Sequence, residues 1–202
     1  MDITKLLTTD NCLSLIYSKT RETNTRFVLP TIFNIVLGLD SARIKRESGT
    51  PVFFVSLVDY GIVMHKIMLL LKKAKTSIKE NQLRFSTSPL ELSSDSNVDK
   101  FINHAKEMNF SNGLILLNTL NSAHKVNGRS TSSTQIVKSL PKIKRNLLLI
   151  QKELSCAISM VLTTEKINQE LLDLIDVAIE VSSTGHQITK GDKTPTKIFQ
   201  IA

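Results

Sequence analysis

Apolar residues recur at Ile143, Leu147, Ile150, Leu154, Ala157 and Val161 in alternating steps of four and three, the spacing that lines one side of an α-helix. Pro141 stands just ahead, where a first helical turn tolerates it, with Ser139 as a candidate cap. Thr163 and Thr164 interrupt the pattern. A second stripe then runs through Ile167, Leu171, Leu174, Ala178 and Val181, opened by Glu165, where an acid suits a helix N-terminus. The two stripes predict a helical hairpin, or one long helix with a break in register. Further apolar positions at Leu148, Ile158, Leu172, Ile175 and Ile179 make the face wider than a coiled-coil seam, which favours core packing over a dimer zipper.

Earlier segments read in the same way. Residues 4–18 suit short helical turns around Asp10-Asn11, and residues 26–44 suit a helix with Pro30 near its start and Gly38 near its end. Residues 51–79 predict a long central helix, almost wholly apolar between Ile62 and Leu71, although the β-branched start at 52–58 also fits a strand. Residues 86–97, rich in Ser and carrying Pro89, read as a loop, and 98–108 resume a helical pattern through Phe101, Ile102 and Ala105. The apolar run 114–120 after Asn112-Gly113 is too short for periodicity to assign, and helix is the preferred reading. Residues 127–134 read as a polar loop carrying Arg129.

The expected fold is therefore all-α: a compact multi-helix bundle of about seven helices with a flexible C-terminal tail, the alternative being α+β with one or two short strands. Its halves, 1–85 and 98–181, pack as one domain about the loop 86–97, and 182–202 form the tail. No internal repeat is present.

Composition sets the class. The 202 residues are 41% hydrophobic and 22% charged, enough apolar material for a core and unlike a disordered, collagenous or many-span membrane chain. Cys12 and Cys156 are far apart in sequence and form no CxxC, which points to reduced, core-type thiols. The first twelve residues carry Asp2 and Asp10 and do not read as a secretory signal. Asp59, His65 and Lys66 interrupt the one stretch, 51–71, that is apolar enough to suggest a membrane span. A cytoplasmic or nuclear protein, not integral to a membrane, is expected.

Charge changes the picture most. Of 26 Lys and Arg against 18 Asp and Glu, seven cations and one acid fall within residues 101–150. Lys125, Arg129, Lys138, Lys142, Lys144 and Arg145 follow one another with no acid between them, and Lys66, Lys72, Lys73, Lys75, Lys79 and Arg84 are interrupted only by Glu80. Glu165, Glu170, Asp173, Asp176 and Glu180 form an opposing acidic segment. Two basic runs in one small domain point to a polyanionic partner, because each cation that neutralises a phosphate releases counterions.

Signatures of catalysis are missing. There is no GxSxG, no GxGxxG and no GxxxxGK[ST], and His65, His104, His124 and His186 lack HxxxH or HExxH spacing. No catalytic residue, metal ligand or small-molecule cofactor is expected. With 5% aromatics and no Trp, base stacking is a weak option and backbone contact the expected one.

The first functional expectation is a non-enzymatic protein binding RNA or DNA phosphates, with little sequence selectivity, through Lys72, Lys73, Lys75, Lys79, Arg129, Lys138, Lys142, Lys144 and Arg145. The alternatives are an assembly or adaptor subunit, using Glu170, Asp173, Ile198 and Phe199 against a protein partner or a second copy, and matrix-like attachment to an anionic membrane surface.

Overall fold

The apolar runs 13–16, 52–55, 114–117 and 157–162 are buried along their whole length, which no one-sided helical stripe requires and which a strand sandwiched between two layers does. The computed structural model describes residues 2–39, 49–56, 60–73, 75, 77–79, 82–86, 90–118, 125–126, 129–130, 133–165 and 167–190. In chain order these form α1 (Ile3–Leu7), β1 (Leu13–Ser18), α2 (Arg21–Leu37), β2 (Val52–Ser56), α3 (Tyr60–Lys73), β3 (Leu83–Ser86), α4 (Asp95–Glu107) and β4 (Leu114–Asn118). A short hairpin of β5 (Lys125–Val126) and β6 (Arg129–Ser130) follows, then α5 (Ser133–Leu154), β7 (Ala157–Thr163), α6 (Gln169–Leu174), β8 (Val177–Val181) and β9 (His186–Lys190).

Seven strands make one sheet in the order β3-β2-β4-β7-β1-β8-β9. Every pairing is parallel except β8 with β9. Side chains alternate between the faces of a strand, so Phe53, Val55, Ile115, Leu117, Ile158 and Met160 project to one face, and Val52, Phe54, Leu114, Leu116, Ala157 and Val161 to the other. On the first face they meet α4, α5 and α6 through Phe101, Leu147, Ile150 and Leu171. On the second they meet α1, α2 and α3 through Leu7, Ile32, Val36, Val63 and Ile67. Connections that move toward the β3 edge use second-face helices and those that move toward β9 use first-face helices, as one crossover hand throughout requires.

The fold is thus α/β, with a mostly parallel seven-stranded sheet and six helices among the described residues, and the all-α bundle is overturned, as is its alternative of one or two strands. The helical hairpin fails first. The helix under the first stripe stops at Leu154, and Ala157 and Val161 belong to β7. The second stripe divides between α6 and β8. Residues 51–79 divide into β2 and α3, as the β-branched start allowed, and residues 114–118 form β4 instead of helix. Helices were correctly placed at α2, which ends on Gly38 in the left-handed conformation, and at α4. Within the expected tail, β9 is a strand of the sheet. Among the described residues no helix is long and apolar enough to cross a membrane.

Candidate functional site

Parallel α/β sheets open crevices at the carboxyl ends of their strands, where neighbouring strands send the chain to opposite faces. Here β1 leads to α2 on the second face while its neighbour β7 leads to α6 on the first, and β2 and β4 diverge in the same way. Polar side chains collect at these ends. Asn118 Nδ2 donates to Ser56 Oγ at 3.2 Å, between β4 and β2. Between β1 and β7, Asn24 Nδ2 donates to the Leu162 carbonyl at 3.0 Å and to Thr163 Oγ1 at 3.3 Å.

The turn from β1 into α2 reads Ser18-Lys19-Thr20-Arg21 and has no glycine, so the close backbone approach that a glycine-rich phosphate turn provides is not available. Thr20 Oγ1 already accepts the Thr23 amide at 3.2 Å, and Ser18 Oγ donates to the Thr20 carbonyl. Thr20 thus caps this helix with its own side chain. Lys19 is exposed beside it.

The strongest charged feature is α5. After β4 ends at the carboxyl edge, the chain passes through the β5–β6 hairpin into α5, which returns across the first face to the start of β7. Leu140, Ile143, Leu147, Ile150 and Leu154 are its buried side, at the spacing of three and four that lets one helix face cover a sheet. Lys142, Lys144, Arg145, Leu148 and Lys152 are exposed on the other.

Neighbouring α4 binds part of this charge. Arg145 lies 2.5 Å from Asp95 Oδ1 and Lys142 3.5 Å from Asp95 Oδ2, while buried Asn146 donates to the Leu92 carbonyl at 2.8 Å and to Asp95 Oδ1 at 3.1 Å. The hydrogen bond from Arg145, and then that from Asn146, hold the Asp95 carboxyl below the usual aspartate range. Lower on the same seam, Lys106 and Glu153 are 2.5 Å apart, and this contact depresses the Glu153 carboxyl. Lys144 forms no ion pair among the described residues.

The two basic runs do not share a face. Lys72 and Lys73 end α3 on the second face, and Lys75 and Lys79 follow on the way to β3, at the amino end of the sheet, whereas Lys142, Lys144 and Arg145 lie on the first. Arg129 falls in β6 and Lys138 in α5, with their side chains outside the described residues. Glu170 and Asp173 are exposed on α6, which packs beside α5. Ile198 and Phe199 lie outside the described residues.

Sequence reasoning missed Asp95, Asn146 and Lys19. Asp95 carries a signal, since it is the acid in the first turn of an amphipathic helix that follows Ser94. Asn146 carries none, because a buried amide on an apolar stripe looks like a surface residue until the neighbouring carbonyl is known.

Among the described residues no group of His, Cys, Asp and Glu is arranged to hold a metal ion. Burial raises the Cys12 thiol to about 11, helped by the Asp176 charge, and the Cys156 thiol to about 12, the state of unreactive core thiols. Comparison with known protein families and with curated proteins finds no match.

Proposed function

We propose that this chain is a non-catalytic protein that binds nucleic-acid phosphates along the outward side of α5 and the adjoining carboxyl edge of the sheet. The supporting observation is the exposed set Lys142, Lys144, Arg145 and Lys152 on one helix, preceded by Lys125, Arg129 and Lys138 with no acid from 119 to 152. Such a surface neutralises backbone charge and reads no bases. Asp95 fixes the α5 cations nearest to it and offsets part of their charge, so Lys144 and Lys152 carry the more available share. Non-catalytic action is supported by the glycine-free β1–α2 turn, in which Thr20 Oγ1 already takes up the Thr23 amide.

Fluorescence anisotropy with random single-stranded and duplex DNA and RNA, at two salt concentrations, tests this reading. Lys144→Glu with Lys152→Glu should weaken binding at low salt by about tenfold or more and flatten the salt dependence, while Lys72→Glu with Lys73→Glu should change it little. No binding at low salt, or equal loss from both pairs, overturns the proposal.

A further inference from the structure

The second basic run has a different setting from the first. On α3, Val63 and Ile67 are buried against the second face of the sheet, whereas Met68 and Leu69 are 57% and 52% exposed. Around these two lie His65, Lys66, Lys72 and Lys73, all exposed, and α3 contains no acidic residue. Two large apolar side chains held in water inside a cationic rim are costly as a free surface and suited as a contact. Thioether side chains such as Met68 adapt to varied partner shapes.

The complementary surface is on the same polypeptide. Helix α6 exposes Glu170 and Asp173, with exposed Glu165 before it, and flanks Asp173 with Leu172 and Leu174, which are half-buried against the first-face core. No cation occurs within α6 itself; Lys166 precedes it in sequence, and Lys190 donates its ammonium to the Leu172 carbonyl. The fold keeps the two surfaces apart. α3 follows β2 toward the β3 edge on the second face, and α6 bridges β7 and β8 on the first face toward the opposite edge.

We infer that α3 of one molecule docks on α6 of a second copy, with Lys72 and Lys73 facing Glu170 and Asp173, and Met68 and Leu69 covering Leu172 and Leu174. Because the two surfaces lie on opposite faces and toward opposite edges of the sheet, one neighbour cannot cover both at once, and the contact is head-to-tail. Each pair leaves one α3 and one α6 free, and association continues with concentration instead of closing at a dimer. This inference uses α3 and α6 and stands apart from the nucleic-acid reading of α5.

Sedimentation velocity of the full chain over a range of loading concentrations, in about 50 mM and about 500 mM salt, tests it, since exposed charge pairs weaken as the screening length falls. The expected result is a concentration-dependent series of species at low salt that shrinks at high salt. Lys72→Glu with Lys73→Glu should abolish the series, as should Glu170→Lys with Asp173→Lys, and an equal mixture of the two variants should restore it. Met68→Ser with Leu69→Ser should weaken association by about tenfold at either salt concentration. Circular dichroism identifies any variant that has unfolded, and the mixture then decides through the folded pair. A monomer at every concentration, reversals without effect, or folded variants that do not associate when mixed overturn the inference. Retention of the wild type but not of Lys72→Glu with Lys73→Glu on phosphatidylserine vesicles, with no self-association, also overturns it by assigning α3 to a lipid surface.

Discussion

Asp95 and Arg145 meet at 2.5 Å across the seam between α4 and α5, fifty residues apart in sequence. Asn146, the next residue after Arg145, donates to the same carboxylate oxygen from the buried side. Asp95 thereby fixes two neighbouring α5 side chains, one outside and one inside.

A pH dependence follows from the depressed Asp95 carboxyl. A carboxylate whose folded value lies below its unfolded value stabilises the fold above the ordinary aspartate range, and the contribution disappears as pH falls through the lower value. Asp95→Asn should therefore lower the melting midpoint at neutral pH, with the gap from wild type closing on acidification. A gap of constant size across that range contradicts the assignment. The same substitution releases Lys142 and Arg145 and should tighten nucleic-acid binding at low salt.

Phe53 should be among the costliest positions in the molecule. It is fully buried and makes edge-to-face contacts with Phe101 at 5.4 Å and Phe110 at 5.3 Å, tying β2 to α4 and to the turn before β4. Phe53→Ala should destabilise by about 3–5 kcal/mol, read by urea denaturation. Phe53→Leu, which keeps most of the volume, should cost clearly less. Equal losses would show that the ring contacts matter less than this packing implies.

Gly113, just before β4, has no room for a methyl group. A Cβ there would lie 2.4 Å from the Pro51 carbonyl oxygen and 2.9 Å from the Phe110 ring, so two strands that now pair closely would have to separate. Gly113→Ala should cost about 1–3 kcal/mol. A melting midpoint equal to wild type would mean that the turn relaxes freely.

How much of this was legible in the sequence depends on burial. Helix α4 has one wet face and could be placed because polar residues outline its apolar stripe, whereas α2 has no exposed residue from 27 to 37 and was legible from Pro30 near its start and Gly38 at its end. Strands buried on both faces have no such outline, and residues 13–16 or 114–117 look alike as helix or strand. At residue 154 the apolar spacing happened to carry over from α5 into β7, and the break between them is made by Ser155 in the left-handed region, φ 48°, where glycine is the usual signal. Asn11 and Asn112, also left-handed, precede β1 and β4 in the same way. An apolar run shortly after each such residue, alternating with amphipathic helices, was the readable sign of a parallel sheet. The charge runs were legible as composition, but not the faces they occupy, because that depends on which strands the crossovers join.

The position of β1 has a consequence for biosynthesis. Of the strands in this sheet β1 leaves the ribosome first, yet its partners on either side, β7 and β8, follow it by about 140 residues or more. Until those arrive, Leu13, Leu15 and Ile16 have no neighbours to pair with, and the nascent polypeptide must hold a sticky, unsatisfied segment for most of translation. Chaperone engagement around β1 and late, all-at-once closure of the sheet are the expected behaviour of such an arrangement. Truncated products that stop before residue 157 should accumulate as aggregates instead of as a folded half.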